Sequence, residues 1–163
     1  MRKFKWFKWF KWFSFDQLAL ALILALLMTA CSKDDEKTQL SIDARPAWTE
    51  VTQGVVPQGM YIIMDADGLP TVDGVRISVH TDDLLAAFVE GECRGVSKPY
   101  AEIDGKTHFY LKVRSTEADT GSVSVELRYY SALRQHIFTS QTFSFVANDN
   151  LGTLDEGYQP IWK

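Results

Sequence analysis

From Trp48 onward, apolar and polar residues alternate with a period of two, and no stretch sustains helical spacing for three turns. Val75, Ile77 and Val79 alternate with Arg76, Ser78 and His80, and Phe109, Leu111 and Val113 alternate with Tyr110 and Lys112. Val123, Val125, Leu127 and Tyr129 alternate with Ser124, Glu126 and Arg128, and Phe143 and Phe145 with Thr142 and Ser144. A strand sends successive side chains to opposite faces, so each segment is expected to lay one face on a core and the other in water. Turn residues separate the runs: Asp67-Gly68, Asp73-Gly74, Glu90-Gly91, Asp104-Gly105, Thr120-Gly121 and Asn150 to Gly152. Asp104-Gly105 is the strongest hairpin signal, since both residues tolerate the positive φ of a type I′ turn. Leu84 to Val89 breaks the alternation with six apolar residues and is expected as a strand buried on both faces. Seven to nine short antiparallel strands at this spacing predict an all-β fold, an immunoglobulin-like β-sandwich.

The amino-terminal third has a different grammar. Arg2, Lys3, Lys5, Lys8 and Lys11 form a basic head around a Lys-Trp-Phe triple repeat, and the uncharged run Leu18–Met28 follows. That run of 11 residues would rise about 16 Å as a helix, roughly half a bilayer core, so a permanent membrane span is the weaker reading. Small residues Thr29 and Ala30 then precede Cys31, the order of a secretory signal with its cleavage site. The stretch Leu27-Met28-Thr29-Ala30-Cys31 resembles the lipobox of a bacterial lipoprotein, with Met28 where Leu is more usual. The resemblance implies cleavage before Cys31 and diacylglyceryl attachment to its sulfur. Two acyl chains anchor stably at about 0.8 kcal/mol per buried methylene. Lys33, Asp34, Asp35 and Glu36 form a solvated polar stretch. They also resemble the lysine-plus-acids signal that sends Bacteroidota-type lipoproteins to the outer face of the outer membrane. The expected organisation is a lipoprotein signal peptide at residues 1–30, a lipidated cysteine and flexible polar tether at 31–46, and a β-sandwich domain at 47–163.

Charge and cysteine count narrow the function. Without residues 1–30 the chain carries 12 basic and 20 acidic residues, a net charge of −8. A chain that acidic, with no basic stripe, repels phosphate backbones, so no nucleic-acid partner is expected. With Cys31 committed to lipid, Cys93 is the one remaining thiol and no intramolecular disulfide can form.

The segment Asp82-Asp83-Leu84-Leu85-Ala86-Ala87-Phe88-Val89-Glu90-Gly91-Glu92-Cys93-Arg94-Gly95-Val96 resembles a β-sandwich module of Bacteroidota surface and secreted proteins. The specific signal is Ala-Phe-Val, a Gly turn, then Glu-Cys-Arg-Gly-Val, and looser similarity extends over most of residues 48–162. The resemblance implies a sandwich in a surface protein and no known activity.

Candidate sites follow from side-chain chemistry. Cys93 as a nucleophile would need a lowered pKa and a base in reach, and His80, His108 and His136 sit on separate segments without a catalytic motif. A small buried thiol is the favoured reading. On a regular strand Arg94 should face away from Cys93 and form a surface ion pair with Glu92, Asp82 or Asp83, or else serve as a carboxylate- or sugar-binding arginine. A calcium loop starting at Asp65 fails, because Leu69 and Arg76 stand where ligands are needed; a non-EF site from Asp65, Asp67 and Asp73 is left as an alternative. No metal or other cofactor is expected. Tyr100, Tyr110, Tyr130 and Trp162 fall out of phase with the core or near the chain end, and planar aromatics of this kind stack on sugar rings or stabilise exposed sheet faces. The expectation is a non-catalytic binding or accessory module on a lipid anchor at the outer membrane and cell surface, with glycans as the candidate ligand. The alternatives are an assembly subunit that pairs with other surface proteins by strand addition and, third, an enzyme built on Cys93.

Overall fold

The computed structural model describes residues 39–101, 105–119 and 122–163. The signal segment, Cys31 and Lys33 to Glu36 lie outside these residues, as do Asp104 and the pair Thr120-Gly121. The described chain forms strands β1 (Val55–Asp65), β2 (Thr71–Val72), β3 (Val75–Arg76), β4 (Leu84–Val89), β5 (Glu92–Ser97), β6 (Pro99–Ala101), β7 (Thr107–Thr116), β8 (Ser124–Ser131), β9 (His136–Thr139), β10 (Phe143–Ser144) and β11 (Asn150–Leu151). A 3-10 turn at Ala66–Gly68 follows β1. The eleven strands exceed the expected seven to nine because four of them are two-residue pairings.

The strands form two main sheets. The first has the order β11-β1-β7-β6, antiparallel except where β11 runs parallel to β1. The second has the order β10-β8-β4-β5, and β9 shares the flank of β8 opposite β4. The core forms as the alternation dictates. Met60, Ile62 and Met64 of β1 and Phe109, Leu111 and Val113 of β7 join Leu85, Ala87 and Val89 of β4 and Val125, Leu127 and Tyr129 of β8 in one apolar cluster. The fold is all-β, built of antiparallel sheets in a sandwich-like arrangement.

Hairpin chemistry fixes the register. Glu90 and Gly91 both take positive φ, 50° and 82°, so β4 and β5 join through a two-residue turn of the type I′ sense. Asp73 and Gly74 do the same between β2 and β3 at 52° and 75°. That small hairpin corrects the expectation that Val75, Ile77 and Val79 share a core face: the strand ends at Arg76, Val75 is exposed, and only Ile77 is fully buried. Gly95 brings the sheets into contact, since a Cβ there would lie 2.2 Å from the Lys112 carbonyl oxygen.

The run Leu84–Val89 is buried throughout, as expected. Its second face is covered from the amino-terminal side, because Ala86, Phe88 and Cys93 cluster with Val96 and Trp48. The segment carrying Trp48 is a strap. Asp43 N–H donates to the Gln135 carbonyl, and the Asp43 carboxylate accepts from Ile137 N–H at 2.9 Å and lies 3.0 Å from His136. At its far end Val51 N–H donates to the Cys93 carbonyl, and the Glu50 carboxylate accepts from Val96 N–H. Residues 40–46, expected as flexible tether, are therefore packed on the domain, with Leu40 against the core. Composition conceals this, because the strap is held mainly by backbone and carboxylate hydrogen bonds.

One buried carboxylate ties these parts together. Asp83 is fully buried and accepts from the Tyr129 hydroxyl, from His80 N–H at 2.7 Å and from Ala132 N–H at 2.7 Å. Burial, then the adjacent Asp83 carboxylate, pushes the Tyr129 phenol far up, so it stays a donor. Tyr129→Phe removes one hydrogen bond to this carboxylate and is expected to lower stability by about 2 kcal/mol. Asp83→Ala strands three donors and should cost more. Urea unfolding followed by tryptophan fluorescence measures both; equal, near-zero effects would refute the anchoring role.

Candidate functional site

The outer face of the first sheet carries an array set by register. Asn150, Tyr61 and Lys112 lie side by side across β11, β1 and β7. Ile63 and Tyr110 form the next row, and Asp65, His108 and Tyr100 the third, across β1, β7 and β6. Tyr61 is 46% exposed, Tyr110 41% and Tyr100 58%. The rings of Tyr100 and Tyr110 meet edge to face at 5.9 Å, and the Lys112 ammonium sits over the Tyr61 ring, 5.5 Å from its centroid. At the third row His108 is buried, with Nε2 3.1 Å from the Leu154 carbonyl oxygen, so the carboxyl-terminal loop covers that end. What stays open is a shallow platform of three tyrosines.

Two of the expected aromatics are elsewhere. Tyr130 is only 4% exposed, between Leu84 and Ile137 in the second sheet, so it is not available to a ligand. Its outward phase does lead away from the core, to the side of the sheet on which Trp48 of the strap packs against Phe88. Trp162 is half-buried: its Nε1 donates to the Gly68 carbonyl at 2.8 Å and its ring packs 6.3 Å from Tyr129. Tyr61 was missed because Tyr61-Ile62-Ile63-Met64 presents as one apolar run. The detectable signal is its phase, opposite to Met60, Ile62 and Met64.

Arg94 also departs from expectation. Phe88 pairs with Cys93 and Ala87 with Gly95, so Arg94 is the extra residue of a β-bulge. It is buried at 4% exposure, and its partner is neither Asp82 nor Asp83. Its two Nη atoms each donate to Asp119 at 2.9 Å in a bidentate fork, Nη1 also donates to the Thr116 hydroxyl, and Nε lies 2.8 Å from Glu92. Asp119 accepts further from Thr116 N–H at 2.7 Å and from the Ser115 hydroxyl. Arg94 is thus a clamp joining β5 of one sheet to the end of β7 in the other.

Other candidates are absorbed by structure. The Cys93 sulfur lies 3.6 Å from the Gly95 carbonyl oxygen, and burial pushes the thiol pKa up, away from nucleophilic use. Asp65 accepts from Asp67 N–H and Gly68 N–H at the head of the 3-10 turn, and Asp67 pairs with Arg76. A groove of ≈510 Å³ opens between Phe88, Arg94, Asp119, Glu126 and Arg128. Its ions pair with each other: Arg128 binds Glu126 at 2.9 Å and stacks on Phe88 at 4.0 Å. The chain matches no known family, no curated protein and no solved structure.

The clamp has a pH signature. Burial alone would raise the Asp119 carboxyl pKa, but Thr116 N–H, Arg94 and Ser115 outweigh it and hold the pKa below the usual carboxylate value. Its stabilising effect is therefore complete above the unfolded value of about 3.9 and is lost as pH falls through the lower folded value. Asp119→Asn is expected to cost about 3 kcal/mol at neutral pH, because it removes the buried partner of the Arg94 fork and leaves only the half-exposed Glu92 as counter-charge. Below about pH 4 the difference from wild type should shrink. Urea titrations at several pH values test this; a pH-independent difference would contradict it.

Proposed function

We propose that this chain is a lipid-anchored lipoprotein of the outer membrane and cell surface, whose immunoglobulin-like sandwich is a non-catalytic module that binds glycans. The address rests on the signal-like head, on Cys31 and on Lys33-Asp34-Asp35-Glu36, with the Glu92-Cys93-Arg94-Gly95-Val96 segment as a surface-protein resemblance. The ligand class rests on one observation, the grouping of Tyr61, Tyr100 and Tyr110 on an exposed sheet face. Aromatic rings offer apolar faces to the C–H faces of sugars while their hydroxyls reach sugar oxygens.

The described sheet edges speak less for strand addition. Residues 161 and 163 bond to the β9 flank through Gln141 N–H and Lys163 N–H, and Asp43 closes its other end. Residues 50 and 51 occupy the outer edge of β5, and β6 begins with a proline. Exposed edges invite pairing, and the β9 and β5 edges are occupied in this way.

Affinity electrophoresis of the protein in nonionic detergent, against a panel of polysaccharides, tests the ligand class. Retardation by a glycan is expected, and Tyr110→Ala or Tyr61→Ala should weaken it about tenfold, in line with the loss of one stacking contact. Migration unchanged by every polysaccharide would remove the glycan reading. The address is tested separately. Cys31→Ala should abolish labelling by an acyl-chain probe and leave an uncleaved precursor; a variant cut and released like wild type would count against the lipid anchor.

A further inference from the structure

We infer that the tyrosine platform is built for an acidic glycan, with the Lys112 ammonium receiving a sugar carboxylate or sulfate. This rests on the glycan reading above and narrows it.

Lys112 is held in place from below. It stands opposite Tyr61 in the β1–β7 register, and its stem lies across Gly59, where an added Cβ would come within 2.9 Å of Lys112 Cε. The missing side chain at Gly59 is what lets the stem lie flat. The ammonium is thereby carried over Tyr61 rather than out into water. A cation over an aromatic face keeps its charge available to an anion on the open side.

Neighbouring charges support the same occupant. The adjacent outward cation on β7, Arg114, is taken up by Glu50 at 2.7 Å. Lys112 makes no ion pair among the described residues. The outward acid on β1, Asp65, lies two rows away and is committed to the N–H groups of the 3-10 turn. The row Asn150–Tyr61–Lys112 thus offers a neutral hydrogen-bonding amide, an aromatic face and a cation. Tyr110 and Tyr100 extend it across β7 and β6. Two strand spacings make about 10 Å, the length of two sugar units. A neutral sugar uses the stacking faces but leaves the cation without a counter-charge. The chain is acidic overall after residue 30, so a polyanion is repelled everywhere except where a local cation is presented.

The test is affinity electrophoresis of the full protein in nonionic detergent against polygalacturonate and its carboxyl-reduced counterpart, and against chondroitin sulfate and its desulfated form. The expected result is retardation by an acidic polymer, weakened about tenfold both by neutralising that polymer and by Lys112→Gln, with Lys112→Arg close to wild type. Lys112 is only half-buried, so the urea midpoint of Lys112→Gln should stay at the wild-type value and separate lost binding from lost folding. Retardation by neutral polymers that Lys112→Gln leaves intact would overturn this inference while preserving glycan binding. Retention of a polyanion insensitive to both Lys112→Gln and Tyr61→Ala would overturn it by locating the site elsewhere. No retardation by any polymer would remove both readings.

Discussion

Burial of the Asp83 carboxylate is the constraint on which the two-sheet arrangement depends. A carboxylate taken out of water is costly unless its oxygens receive hydrogen bonds, and here three donors converge on it. Each donor comes from a different part of the chain: the loop before β4, the middle of β8 and the turn after β8. Tyr129 carries the effect inward, because its ring meets Phe109 at 5.7 Å, Phe138 at 6.5 Å and Trp162 at 6.3 Å. One hydrogen bond therefore orients an aromatic centre that spans both sheets and the carboxyl-terminal segment around Trp162. A hydrophobic residue at position 83 would remove the desolvation cost but would also remove what specifies how the loop enters β4.

The alternation of β7 and β8 was legible in the sequence because those strands have one wet face and one dry face. So was the doubly buried β4, whose six apolar residues leave no polar face to present. The failures share a cause, since period two reports only which face a residue is on, not what covers that face. Tyr130 lies out of phase with the core, yet the outer side of the second sheet lies under a strap. Arg94 alternates with Cys93 in the sequence, but a single extra residue in β5 redirects it, and no local pattern announces a bulge. The first part of the strap reads as a flexible tether because its tie is Asp43, an ordinary acid whose partner Ile137 lies 94 positions away, and the Glu50 tie to Arg114 likewise spans 64. Tyr61 illustrates the reverse difficulty: a continuous apolar run conceals an outward residue whose exposure depends on the sheet it joins.

The two sheets are closed against each other by dissimilar means. Over most of the interface apolar side chains interdigitate, whereas at the β5–β7 corner backbone meets backbone. Gly95 permits that approach, and the adjacent bulge delivers Arg94 to Asp119 at the end of β7. A bulge beside a close backbone contact is a coherent pair of features, because the approach needs the glycine and the bulge supplies the local twist that leads into it. The buried ion pair is no proof of net stabilisation, since its desolvation offsets much of its attraction. Its contribution is directional: a bidentate fork holds β5 at one angle to β7, which a slippery apolar contact would not.

This closure also explains why the two outer faces differ. The second sheet receives the amino-terminal strap, with Trp48 edge-on to Phe88 at 5.7 Å, and its flanks are taken by residues 41–51 and 161–163. The first sheet has no corresponding cover over Tyr61, Tyr110 and Tyr100, and only its His108 end is roofed by the loop after β11. Large aromatic rings left open on a sheet face forgo the burial that stabilises their counterparts across the sandwich, at about 25 cal/mol per Å² of apolar area. Cross-strand tyrosine contacts recover part of that loss, as the 5.9 Å pair of Tyr100 and Tyr110 does. They do not account for Lys112, whose stem is routed over a glycine and whose charge sits beside a tyrosine with no ion pair among the described residues. Purely structural tyrosines would be served equally well by an apolar or acid-paired neighbour. A cation held over an aromatic ring on the uncovered face, with no ion pair among the described residues, is what makes this face, rather than the groove on the opposite sheet, the one suited to an anionic ligand.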